Sequence, residues 1–457
     1  MRIARALIAA ATLAMCCGAA GAQAGAGPWI PAGSIATNDS VTFAGAGIAT
    51  ASDGTGELAY DVYPALSTPD YATVSAPHGL SRVRLDPALQ LSATALAALP
   101  RGGIVLGGIA TGARAFALAL VRPGKPTPAI VLPGLRQGLQ AQVAVIAANP
   151  TGTVAVLGAS GAQPVLSVCE PGLRCGPTAA LAPSHGVLST NGAMAAGSGL
   201  AVAIGADGRV IAAWVRNGHV EARWRTPNGR LGPLQQLAAV SSQVWLSVAI
   251  SATGRAVLAW ETQGDNDVVR PGPADSAATA AVATASAGGR FSRPSTLGSF
   301  PASPATSGAA DVTLSAPPVI EVAFDGARPL VAWTAHDGRG FIIRAAGADA
   351  AATTSQTLSD PAQSATLGAL VGTSNSGAIA VWSSCRFTGT SCSPSEVQAS
   401  RASAQGHFAS AQSIPGTQTS FTFFARPAVA AIDPTSGTAW VATTIFQNVR
   451  LWRQSPP

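Results

Sequence analysis

Residues 206–214 read ADGRVIAAW, a glycine turn followed by a short apolar run that ends in tryptophan. The same order returns in ATGRAVLAW (252–260), FDGARPLVAW (324–333) and SNSGAIAVW (374–382). Before each turn stands a second apolar run: GLAVAIG, WLSVAIS, VIEVAF and LGALVGT. Two runs of strand length joined by a tight glycine turn predict a β-hairpin. Weaker copies widen the series. ASDGTGELAY (51–60) ends in Tyr60, LPRGGIVLGG (99–108) and NPTGTVAVLG (149–158) lack the aromatic, and PTSGTAWVAT (434–443) comes last. The turns recur about every 46 to 73 residues, a spacing that suits one four-stranded propeller blade.

The remainder of each unit fits that plan. A third run follows the tryptophan run, as in HVEARWRT (219–226) or GFIIRAAG (340–347), then a glycine turn and a short polar run such as GPLQQLA or ASAQSIP. Strands A and B read as doubly covered inner strands, and D as a polar outer edge. The last unit supplies A, B and C, and the chain then ends without a D run. The segment PAGSIATND (31–39) resembles a D run and precedes the first A strand. The expectation is an all-β protein: a β-propeller of about eight four-stranded blades spanning 25–457, with the last blade completed by the N-terminal strand. A seven-bladed ring, with one weak unit misread, is the alternative.

The D/N-G-x-A-x-x-A-W hairpin followed by G-G-x-F-G/S is similar to repeats of secreted actinobacterial propellers of the sialidase-like superfamily. GGRFSRPSTLG (288–298) and NGRLGPLQQLA (228–238) carry it best. The resemblance implies fold only. The sialidase Asp-box is not matched, because the tryptophan falls five or more residues after the glycine. Tyr60, Tyr63 and Tyr71 are the only tyrosines and all sit in the first unit, which leaves no tyrosine nucleophile in a late blade.

The first 24 residues carry Arg2 and Arg5, an apolar run from Ala6 to Met15, and Ala22-Gln23-Ala24. This is the plan of a secretory signal peptide cleaved after Ala24; a lipoprotein anchored at Cys16 is the lesser reading. Four cysteines remain, in the close pairs Cys169/Cys175 and Cys385/Cys392. Their spacing suits local disulfides in an oxidising compartment better than a zinc site. The net charge of +6 includes the two leader arginines, 11% of residues are charged, and Lys125 is the sole lysine. Scattered arginines argue against nucleic acid, and no mature segment has the length of a membrane span. The reading takes the chain as a secreted monomer.

The recurrent aromatics Tyr60, Trp214, Trp260, Trp333 and Trp382 hold one repeat position, which predicts packing between blades rather than sugar stacking. Function in propellers sits on loops, and the B–C loops hold the notable polar residues. These are Asp61 and Tyr63 in blade 1, His219 in blade 4, Glu261, Asp265 and Asp267 in blade 5, and His336 and Asp337 in blade 6. Asp265-Asn266-Asp267 offers a weak Ca²⁺ site; no other cofactor or metal is expected. No nucleophile elbow, P-loop or zincin motif is present in the sequence. The leading reading is therefore a non-catalytic module that presents a loop-rich face to a protein, peptide or surface glycan. The rival is a glycan-acting hydrolase or lyase with Asp61, Glu261 and Asp337 gathered at the axis.

Overall fold

The turn that joins strands A and B is built the same way in successive blades. In blade 4 the Gly205 N–H donates to the Arg209 carbonyl (2.8 Å) and the Gly208 N–H to the Gly205 carbonyl (2.9 Å). Gly208 has φ +81°, a left-handed conformation that glycine adopts without a Cβ penalty. The same pair of bonds closes 149–153 and 251–255, and again the C–D turns 226–230 and 403–407. One local solution thus serves both connections at this end of the blades.

The computed structural model describes residues 27–456 except 37–39, 43–47, 51–55, 64–69, 76–78, 84–90, 100–102, 111–114, 123–128, 137–143, 161–162, 186–187, 189–198, 241–243, 263–277, 301–318, 338–340, 350–354, 374–376, 389–390, 404, 419–427 and 446–447. Its strands fall into eight antiparallel sheets. The inner A strands, in chain order, are Ile48–Thr50, Leu91–Ala98, Val145–Ala148, Leu200–Ile204, Val244–Ile250, Ile320–Asp325, Ser364–Gly372 and Val429–Ile432. Each lies beside the next, and the last lies beside the first, so the ring closes. The architecture is an eight-bladed β-propeller.

Closure follows the expected route. Ile30–Ala36 pairs antiparallel with Asn448–Gln454, from Ile30 opposite Arg453 to Ala36 opposite Asn448. That strand occupies the outer position of blade 8, whose other strands are Val429–Ile432, Ala439–Ile445 and Asn448–Gln454. Gln454 Nε2 also donates to the Gly27 carbonyl at 2.7 Å.

The core lies between blades. Trp214 packs with Ala155, Leu157 and Leu166 of blade 3, and Trp260 with Ile211, Ala213 and Ala222 of blade 4. Trp333 packs with Val257 and Ala259 of blade 5, and Trp382 with Leu330 and Ala332 of blade 6. Each repeat tryptophan therefore faces the preceding blade, and all four are at most 2% exposed. The inner strands approach very closely: a Cβ on Gly368 would lie 2.4 Å from the Ala428 carbonyl oxygen of blade 8.

The polar D strands do more than end a blade. Gln235 of blade 4 accepts from the Phe291 N–H of blade 5 at 2.8 Å. Gln356 of blade 6 both accepts from and donates to the backbone of Phe408 in blade 7. These amides stitch neighbouring blades at their outer rims. Arg401 does the same from within: buried in blade 7, it donates to Gln454 and to the Gly437 carbonyl of blade 8.

Candidate functional site

The two ends of the ring differ. A–B and C–D connections such as 205–209, 251–255 and 286–290 are short. The longest connections, 181–199, 263–277, 301–319 and 414–428, are all D–A or B–C. They leave from the opposite end, because a hairpin returns the chain to the side it started from. Two B–C hairpins also rise past their own inner strands there. In blade 6 the A strand begins at Ile320, opposite Trp333, while strand B (Arg328–His336) runs on to His336. In blade 7 the A strand begins at Ser364, opposite Cys385, while strand B (Ala378–Thr388) runs on to Thr388 and pairs with strand C (Ser391–Arg401).

The expected site residues that the structure describes fall in different settings. Asp61 and Tyr63 belong to strand B of blade 1 (Gly56–Tyr63), opposite Thr42 and Ser40; their side chains lie outside the described residues. His219 opens strand C of blade 4 after a two-residue turn, Asn217-Gly218, with both φ angles positive. Such a turn matches strand twist and leaves no loop. The ring nitrogen Nδ1 of His219 is 2.9 Å from the Asn217 carbonyl. Glu261 is in strand B of blade 5 (Ala256–Thr262) and only 2% exposed. His336 ends strand B of blade 6, and Asp337 follows it, exposed. Asp265 and Asp267 lie outside the described residues. The acids Glu261 and Asp337 therefore sit in opposite environments, one in a blade seam and one in solvent. Among the described residues no three His, Cys, Asp or Glu converge.

What the long-connection end does hold is a row of carboxylates in blades 4 to 6, buried at Glu221 and Glu261 and partly buried at Glu321. Glu221 is 5% exposed. It accepts from Trp214 Nε1 at 2.7 Å and from Arg216 Nε and Nη2, both at 2.9 Å. Arg216 Nη1 donates to the His185 carbonyl, tying down part of the connection 181–199. Charge, geometry and donors all match here, as a buried ion pair requires.

The seam between blades 5 and 6 is different. Glu261 Oε2 is buried without a hydrogen-bond partner, and so is Trp333 Nε1. Burial pushes the Glu261 carboxyl well above its usual range, because desolvation disfavours the charged form. Glu321, in the inner strand of blade 6, is pushed up to about 7 by burial, opposed by a hydrogen bond from Ser247. Ser247 Oγ donates to Glu321 Oε2 at 2.8 Å and accepts from the Val322 N–H at 3.2 Å. Perturbed acids of this kind are general-acid candidates when a cleft brings substrate to them.

Sequence reasoning missed Glu321, Glu221 and Ser247. The available signal was one charged residue inside an otherwise apolar inner run, as in VIEVAF (319–324).

The first expected cysteine pair is bonded. Cys169 and Cys175 are bonded across the start of the C–D connection of blade 3. Cys385 is also disulfide-bonded. Cys392 lies on the paired strand C of blade 7, with its side chain outside the described residues.

No protein-family model matches the chain, and no curated protein matches its sequence. Solved structures do. Oligopeptidase B from Trypanosoma brucei, in a closed form with covalently bound antipain, is 12% identical with a TM-score of 0.48, over 90% of this chain and 54% of its own. The chain thus spans about half of that protein. The WD40 domain of Toxoplasma gondii coronin is 12% identical with a TM-score of 0.42, over 82% of this chain and 84% of its own. Drosophila plexin A, in complex with semaphorin 1b, is 9% identical with a TM-score of 0.39, over 94% and 88%. The propeller assignment rests on the sheets and ring of this chain itself. No helix among the described residues is long and apolar enough to cross a membrane.

Proposed function

We propose that this protein is a secreted, non-catalytic binding module whose working face is the end that carries the B–C and D–A connections. The observation behind the reading is the asymmetry of the ring. One end repeats a tight turn in the A–B connections of blades 3 to 5, while the other varies in connection length and raises the hairpins of blades 6 and 7 above the inner strands. Long connections on a rigid scaffold are where propellers and other folds carry recognition. Export is supported by the leader sequence and agrees with the Cys169–Cys175 bond. We read the repeat as similar in architecture to secreted propellers of the sialidase-like superfamily. The partner we expect is a protein, peptide or surface glycan.

The test combines a glycan array with a pull-down from culture medium, using the mature chain. A variant with His219, Asp337 and Arg386, the last exposed on strand B of blade 7 just past the start of its inner strand, all changed to Ala is compared with Asn228→Ala on the opposite end. The reading expects a captured ligand to be lost by the triple variant and kept by the control. Equal capture by both variants, or turnover of an array glycan by the wild type, overturns it.

A further inference from the structure

The opposite end of the ring carries a feature that the proposed face does not use. The A–B turn and C–D turn of blade 5 enclose an open cleft of about 590 Å³, lined in part by Thr253, Arg255, Thr284, Ser286, Arg290 and Ser292. Every polar side chain in that lining is a guanidinium or a hydroxyl, with neither a carboxylate nor an aromatic ring among the lining residues. Guanidinium groups only donate hydrogen bonds, and hydroxyls are free to donate.

The individual groups are set for that role. Arg255 makes a two-pronged contact with Asp349 of the next blade, which orients its guanidinium. Ser292 Oγ accepts from the Thr284 N–H at 3.2 Å, which leaves its own hydrogen to point elsewhere. Arg290 is exposed and has no carboxylate partner among the described residues. A third guanidinium flanks the cleft: Arg209 Nη1 of blade 4 lies 3.6 Å from where a Cβ on Gly254 would stand. Arg209 pairs with Asp207 at 3.2 Å. Three arginines around one turn face two carboxylates, and the unmatched charge is on Arg290.

The structure assigns this cleft, we infer, to an oxyanion: a carboxylate or sulfate group, free or carried on a sugar. Planar guanidinium forks and hydroxyl donors recognise such groups. The cleft is much larger than one oxyanion, which leaves room for the molecule that carries it.

Isothermal titration of the mature protein with sodium sulfate and, separately, with an oligogalacturonate tests the assignment. Binding is expected for at least one probe, weakening as sodium chloride rises. Loss of one charge-assisted hydrogen bond in Arg290→Gln should weaken it about tenfold. Ser292→Ala should weaken it less. Arg174→Gln, an exposed arginine of blade 3 already paired with Glu170, should leave it unchanged. Binding of sulfate alone identifies a free anion as sufficient; binding of the oligosaccharide alone assigns the carrier a share of the contact. Failure of both probes, or equal affinity in Arg290→Gln, overturns the proposal. Thermal unfolding of each variant separates lost binding from lost folding.

Discussion

The seam between blades 3 and 4 and the seam between blades 5 and 6 use the same tryptophan in the same place, with opposite electrostatics. Trp214 stands across from Glu221 on strand C, which accepts its indole N–H. Trp333 stands across from Arg344, which has nothing to accept with, and its N–H is left unpaired. Blades 7 and 8 repeat the contrast. Trp382 faces Gln398 and is bonded to it, whereas Trp440, on another repeat position, faces Arg453 and is not. At these four positions the residue opposite the indole separates the satisfied tryptophans from the orphaned ones. A bonded indole ties strands B and C of its own blade together, whereas an orphaned one carries a desolvation cost of about 1–3 kcal/mol.

Four measurements would break or sharpen that contrast. The largest effect is expected from Glu221→Ala, which strands the Arg216 charge in the interior and removes the indole acceptor. Urea unfolding should show a loss of about 3–5 kcal/mol. If the loss falls below about 1 kcal/mol, the ion pair does not hold strands B and C of blade 4 together.

Next comes the paired change Trp214→Phe and Trp333→Phe. Both lose the same volume, so their difference isolates the N–H. Trp214→Phe should be the costlier by about 1.5–3 kcal/mol, the worth of a hydrogen bond to a charged group. Equal costs would remove the distinction between the seams.

The third is a pH profile. Glu321 sits near 7 in the folded protein against 4.5 as a free side chain. Between those values the folded state holds more protons, so stability should fall as pH rises from about 4.5 to 7 and level off above. A shift of that size is worth about 3 kcal/mol in full. Glu321 keeps some solvent contact, and screening reduces the expected fall to about 1–2 kcal/mol. Glu321→Gln should flatten this part of the curve.

The smallest effect is expected from Glu261→Gln, measured above pH 7. Glu261 is raised in the same direction, so its charged form costs the folded state. Replacement by the neutral amide should stabilise the protein by about 1 kcal/mol. A loss of stability would mean that the carboxylate has a partner in solution.

Much of this architecture could be read from the chain. Glycine turns followed by runs ending in Trp214, Trp260, Trp333 and Trp382 gave the blades, because a period of that length with two apolar strands can bury itself only against copies of itself. The missing last D run and the resemblance of 31–39 to one gave the closure. The seams were harder. Glu221 and Arg344 both read as polar residues in a third strand, and only the register shows that each stands opposite a tryptophan. Glu321 was hidden because its neighbours in the inner strand are apolar, so the run passed for uniform core. The oxyanion cleft needs Arg255, Arg290 and Arg209 to meet, and they come from two turns of one blade and one turn of its neighbour. The positions of Asp265 and Asp267 were legible, but the site they were to serve lies outside the described residues.

The partnership of Ile30–Ala36 with Asn448–Gln454 sets a clock on folding. During synthesis the earliest strand must wait, unpaired along one edge, until the final residues of blade 8 have emerged. Each intermediate blade can form from its own hairpins meanwhile, yet the circle stays broken. Completion is therefore a late event joining an early strand to a late one, the strand pairing most distant in sequence among the described residues and, by the usual dependence of rate on sequence separation, among the slowest to be made.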